Sequence, residues 1–169
     1  MSISMYSASV PIFTTMLGNL AKWLDQAEAC AAEKQFDPVV LLGMRLAPDM
    51  LPFTRQVQIA CDGAKFCVAR LAGIEAPRFE DNEATVAELK DRIARTLAFV
   101  ASATPAQLDG TEAKDITIPR REGNAVMKGE AYLKHFALPN FFFHVTTAYA
   151  LLRHNGVPLG KRDFLGLTY

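Results

Sequence analysis

His144 is the residue best suited to chemistry, because an imidazole exchanges a proton near neutral pH and ligates metals readily. It stands four residues after Asn140, and side chains at i and i+4 share one face of a helix. Two histidines at that spacing would indicate a metal. An Asn–His pair is a weaker donor set, since an amide oxygen suits zinc or nickel poorly. A buried histidine satisfied by a carbonyl or a neighbouring side chain fits the same pattern. Gln56 and Gln58 flank Val57, and Asp62 follows one turn later. Gln56 lies three residues after Phe53 and four before Ala60, beside an apolar stripe. Arg45 and Asp49, four apart across a proline, read either as an ion pair fixing a loop or as the rim of a pocket. The hydroxyl of Tyr149 falls in an apolar stretch and needs a partner, structural or ligand. Cys30, Cys61 and Cys67 lack CxxC spacing and read as small apolar core residues in a reduced state.

Several chemistries are missing. The chain has no GxGxxG or GxxxxGK[ST] phosphate loop, no GxSxG elbow and no HExxH. Its 18 Lys and Arg balance 18 Asp and Glu, which argues against a nucleic-acid binder, since phosphate recognition needs clustered basic residues. No apolar run reaches about 18 residues, so no membrane span is expected. The first residues lack the basic-then-apolar pattern of an export signal. A cytoplasmic single domain over residues 1–169 is the resulting expectation.

The elements that must position these side chains follow from periodicity. Val10, Phe13, Leu17, Leu20, Leu24 and Ala27 draw a helical stripe across residues 4–33, with Pro11 in its opening turns. Residues 36–52 read as an irregular connection broken by Asp37-Pro38 and Pro48-Asp49. Phe53, Val57, Ala60, Cys61, Ala64, Val68 and Leu71 mark a second helix that Gly73 stops. A third begins at Thr85, whose spacing to Glu88 is that of a capping box, and its stripe is Val86, Leu89, Ile93, Leu97 and Val100. Glu88–Arg92 and Asp91–Arg95 are i,i+4 pairs expected on its solvent face. Thr104-Pro105 opens a short capped turn. The alternation at Ile116-Thr117-Ile118 and 125–128 predicts a two-stranded hairpin. The last helix spans roughly residues 129–155, bent or restarted at Pro139 and stopped by Gly156. From Phe141 to Leu152 it is apolar almost all round, which asks for cover on every side, from the hairpin or a second copy of the chain. Four long amphipathic segments, one hairpin and no βαβ alternation predict an all-α antiparallel four-helix bundle. The long connection after the first helix leaves room for a crossover.

Certain segments carry a resemblance. Residues 45–52 (RLAPDMLP), Gln56-Val57-Gln58, residues 139–149 (PNFFFHVTTAY) and residues 152–161 (LRHNGVPLGK) resemble the DUF1993 family. That family is similar to the DinB/YfiT superfamily of four-helix bundles, whose members often dimerise. The superfamily includes thiol-dependent transferases and isomerases, many with a divalent metal held by one histidine on the second helix and an HxxxH pair on the fourth. The resemblance implies a zinc or nickel site at His144, Asn140 and a position near Gln58, only His144 keeping an imidazole. One imidazole and two amides would hold such a metal weakly. Two readings stand: a homodimeric, non-catalytic or small-ligand-binding bundle with a polar pocket lined by His144, Asn140, Gln56 and Gln58, or a metal-dependent thiol transferase or isomerase with a degenerate centre.

Overall fold

The structure is a computed structural model that describes residues 3–119 and 122–167. Helix α1 (Val10–Glu33) carries Pro11 in its first turn, where the missing N–H is harmless. Its predicted stripe is buried throughout, with Trp23 fully enclosed beside it. A single helical turn, α2 (Val39–Leu42), interrupts the expected irregular connection and turns Leu41 and Leu42 inward. Helix α3 (Phe53–Ala72) ends at Gly73 with φ of 71°, a left-handed backbone that glycine adopts without a Cβ clash. Helix α4 (Val86–Ala101) opens with the Thr85–Glu88 capping box, and a turn, α5 (Pro105–Leu108), follows with the same device at Thr104 and Gln107. Strands β1 (Asp115–Ile118) and β2 (Ala125–Lys128) pair antiparallel, Asp115 opposite Lys128 and Ile118 opposite Ala125. Arg121, expected in the hairpin loop, lies outside the described residues.

The last long element has three parts. A short helix, α6 (Gly129–Tyr132), passes into a π-helical turn at Leu133–Ala137 and then into α7 (Leu138–His154). The widened turn precedes Pro139, which has no N–H to return to the preceding turn. A final helix, α8 (Lys161–Leu165), was not legible as a period because it is shorter than two turns. It docks through Phe164, stacked on Trp23 at 5.7 Å, and through Trp23 Nε1 donating to the Asp163 carbonyl at 3.2 Å.

Around the bundle the packed neighbours are α1 with α4, α4 with α3, α3 with α7, and α7 with α1. Helices α1 and α3, consecutive long helices in the chain, therefore sit largely across a diagonal, and the connection through α2 is the crossover. Phe13 meets Phe141 at 4.8 Å and Trp23 meets Tyr149 at 5.5 Å, so α1 and α7 run in the same direction. The hairpin packs on α3 and α6 and buries Ile116 and Ile118, supplying cover that two isolated strands need.

One surface expectation fails. Asp91 and Arg95 do pair at 2.8 Å, but Glu88 does not pair with Arg92. Glu88 accepts the backbone N–H groups of Ala84 and Thr85, while Arg92 is 0% exposed. The cap satisfies donors that a helix start leaves open, whereas an exposed ion pair contributes little.

Gly129 is the most closely approached of the glycines. A Cβ there would lie 2.0 Å from the Thr111 carbonyl oxygen, and the Gly129 N–H donates to the Lys114 carbonyl at 2.8 Å. Gly129→Ala is expected to cost about 1–3 kcal/mol through overpacking. Chemical denaturation should show it, and an unchanged midpoint would disprove the close approach.

Candidate functional site

The side chains singled out by the sequence separate into distinct neighbourhoods. His144 Nδ1 lies 2.8 Å from Gln56 Oε1, with both residues buried. Gln56 Nε2 donates to the Leu51 carbonyl at 2.9 Å. That contact turns the amide oxygen toward the ring, so Nδ1 carries the hydrogen and Nε2 keeps the lone pair. Burial holds the His144 pKa below the ordinary histidine value, so the ring is neutral at neutral pH. Phe143 stands edge-on to it at 5.1 Å.

Gln58 faces elsewhere. Two residues along a helix rotate a side chain by roughly 200°, which carries Gln58 away from His144. Its Oε1 accepts from Arg55 at 2.6 Å and its Nε2 donates to Glu83 at 2.7 Å. The amide that reaches His144 is Gln56, the other glutamine expected in the pocket and two positions before Gln58. Asn140 rests against α3 further along: a Cβ on Gly63 would lie 3.6 Å from Asn140 Nδ2. The match of His144 with Gln56 and of Asn140 with Gly63 shows that α3 and α7 are antiparallel. Arg45 and Asp49 are exposed and do not pair; Arg45 instead closes its loop on the Met50 carbonyl. Tyr149 packs edge-on against Trp23 and Phe164 on the opposite side of α7.

These positions do not fit a zinc or nickel centre. Among the described residues no three His, Cys, Asp or Glu side chains gather closely enough to hold a metal ion, and the Gln58 amide is committed at both ends. Nor do Cys61 and Cys67 fit a nucleophile. Burial pushes Cys61 and Cys67 up to about 12 each, and the thiolate is the reactive form.

The dominant polar feature is one the periodicity concealed. Arg92 lies 3.0 Å from Asp62 on α3, and 2.9 Å from both Asp81 and Glu83 in the connection between α3 and α4. Burial disfavours its charge, but Glu83 and Asp62 raise its pKa above the ordinary arginine value. Burial likewise opposes ionisation of Asp81 and Glu83, yet hydrogen bonds from Arg55 to Asp81 and from Arg92 to Glu83 carry both carboxyl groups below their usual range. Lys65, also buried, pairs with Asp62 at 2.8 Å. The ring of Phe79 sits beneath three cations, Lys65 at 4.3 Å, Arg95 at 4.7 Å and Arg92 at 5.4 Å. The spacing held a signal: Arg92 comes three residues after Leu89 and four before Thr96, on the inner stripe of α4.

Two cavities flank this cluster. An open groove of about 670 Å³ lies between α3 and residues 74–81, with Lys65, Arg70 and Phe79 in its walls. A smaller chamber of about 190 Å³ lies at the start of α7, bounded by α3, the hairpin and Tyr132. Asp62, Phe66 and Arg70 border both. Asn140 lines the smaller one, and Arg70 donates to the Tyr132 hydroxyl oxygen there at 3.1 Å. Arg70, Tyr132, Asp62 and Lys65 are site residues that sequence reasoning missed or left unassigned.

Removing Arg92 tests the cluster. Arg92→Met should cost about 3–5 kcal/mol, because it strands the buried Glu83 carboxylate and takes a partner from Asp62 and Asp81. The pH dependence has a definite sign: carboxyl groups with lowered folded pKa stabilise above their unfolded values, and that contribution is lost as pH falls through the folded ones. Acid unfolding followed by circular dichroism should show a shallower loss below about pH 4 in the variant; an identical profile would remove Arg92 from this role.

The comparisons with known proteins agree with this architecture. The family model for a domain of unknown function, DUF1993, matches residues 5–165. The chain is 44% identical to a dinb family member protein from Shewanella denitrificans of known crystal structure, with a TM-score of 0.89 over 96% of this chain and 92% of that one. No curated protein matches. The chain belongs to the DUF1993 family.

Proposed function

We propose that this DUF1993 bundle is a small-ligand-binding protein, its ligand seated at the start of α7 and in the groove beside it. The observation that carries the reading is the convergence of Arg70, Tyr132, Asp62 and Asn140 on one chamber walled otherwise by apolar side chains. A few polar groups in an apolar concavity are the usual composition of a ligand site. The neighbouring buried ion cluster supports it by holding α3 and the 74–84 connection in fixed relation. The His144–Gln56 pair serves the packing of α7 on α3, satisfying two buried polar groups with each other. A metal-dependent thiol-transferase reading lacks an assembled donor set of His, Cys, Asp or Glu among the described residues.

A ligand that prefers the native state must raise the melting temperature with concentration. Thermal shift against a panel of neutral, cationic and anionic metabolites of one or two rings is expected to give a saturable rise for at least one class. A panel that leaves the melting temperature unchanged throughout would defeat the reading.

The working form is a homodimer in the cytosol. Three free, buried cysteines suit a reducing compartment, and no helix of the described residues is long and apolar enough to cross a membrane. The outward face of α7 supports self-association: Phe143 is 56% exposed and Leu46 44%, and with Phe142, Thr146 and Ala150 they line a shallow depression of about 420 Å³. Light scattering at micromolar concentration should give twice 18.6 kDa, and Phe143→Asp should give the monomer mass. A wild-type monomer would exclude the dimer.

A further inference from the structure

Resting on the ligand-binding reading above, we infer that the chamber at the start of α7 takes a small organic anion, a carboxylate on a flat apolar body. The donors there point to that class. Tyr132 is almost wholly buried, and its oxygen accepts from Arg70 at 3.1 Å. A phenol has one proton and accepts through its lone pairs, so the Tyr132 O–H is left to donate. Burial pushes the Tyr132 pKa up to about 12, which keeps that proton in place. Arg70 uses one N–H on Tyr132 and retains others in the fork geometry that matches a carboxylate. Asn140 contributes an amide whose nitrogen lies toward Gly63, and an amide NH₂ carries two donors.

The remaining polar group of the chamber is Asp62, which would repel an anion if its charge stood alone. It does not: Asp62 Oδ1 is held by Lys65 at 2.8 Å and by Arg92 at 3.0 Å. Arg92 also serves Asp81 and Glu83, and Arg55 pairs with Asp81, so Lys65, Arg92 and Arg55 balance Asp62, Asp81 and Glu83, and Arg70 adds the positive charge at the chamber. The walls supply the other half of the specificity. Phe66 and Phe136 face the space, and Arg70 lies over the Phe66 ring at 5.1 Å, so a guanidinium and an aromatic face are presented side by side. At about 190 Å³ the chamber falls below the usual range of roughly 300–1,000 Å³ for drug-sized ligands. A single ring bearing an acid suits it, and a nucleotide does not.

Gly63 gives a clean handle. It lines the chamber, and a Cβ there would meet Asn140 Nδ2 at 3.6 Å and Phe141 Cα at 3.9 Å, ordinary contact distances. Gly63→Ala therefore places a methyl group at the chamber wall without a clash, in a helix interior where alanine is the better residue.

The test uses benzoate and phenylacetate as probes, with benzamide and benzylamine as the neutral and cationic matches, read by saturation-transfer NMR and thermal shift on the full chain. The acids are expected to bind about tenfold more tightly than benzamide, the scale of a charge-assisted hydrogen bond. Arg70→Gln should remove that preference. Gly63→Ala should melt at or above the wild-type temperature and still bind the acids more weakly, which separates lost binding from lost folding. Benzamide binding as tightly as benzoate, or acid binding unchanged in Gly63→Ala, would overturn the assignment while leaving a ligand site in place. Silence from all four probes overturns the anion class, and the wider metabolite panel then decides the reading beneath it.

Discussion

A guanidinium enclosed by protein can persist only if its charge is answered on the spot, and Arg92 is answered from two other pieces of chain. Asp62 belongs to α3, Arg92 itself to α4, and Asp81 and Glu83 to the segment that joins them. Taking an ion from water costs several kcal/mol even after relaxation, so each partner is held to its position by the cost of abandoning the others. One atom is left over: Arg92 Nε is buried without a hydrogen-bond partner among the described residues. The electrostatic knot therefore fixes a geometry more than it adds stability, since a well-packed apolar substitute for a buried ion pair is often as stable. What the knot fixes is the pair of walls, α3 and the 74–84 connection, that enclose the larger groove, and through α3 one side of the smaller chamber.

Helix α3 distributes its polar residues by angle. Gln56 turns to α7 and meets His144, whereas Gln58, rotated most of the way round, meets Glu83. Asp62 and Lys65 pair on the flank facing the connection, and Arg70 completes the row near the C-terminal end, where a cation also suits the helix dipole. A single helix thus joins a sealed polar contact in the core to an open recess at the surface. The sealed contact satisfies two buried polar groups with each other. The open recess is where unspent donors remain.

The helices, their caps and the hairpin could be read from residue types because each has a local cause. Apolar stripes at three and four residues, Thr85 with Glu88, Gly73 and the alternating isoleucines act over a few residues and need no distant partner. The site was less legible for the opposite reason. Charged residues on an inner stripe, such as Arg92 and Lys65, look like surface residues until the carboxylates that answer them arrive from elsewhere in the fold. The resemblance implies a third position near Gln58, the amide that meets His144 is Gln56, and two positions along a helix exchange one face for nearly the opposite one. His144 did turn inward, with one amide beside it. Its other expected companion, Asn140, lies a turn away in the chamber. The parallel course of α1 and α7 depends on where long connections cross, which no local period encodes.

The docking of α8 on α1 has a practical side. The chain contains one tryptophan, and its indole is stacked by Phe164 and tethered to the Asp163 carbonyl. Its emission is therefore a native reporter placed at the seam between the tail and the bundle. A red shift of that emission ahead of the loss of helical ellipticity would time the peeling of the C-terminal segment as an event of its own, with no label introduced.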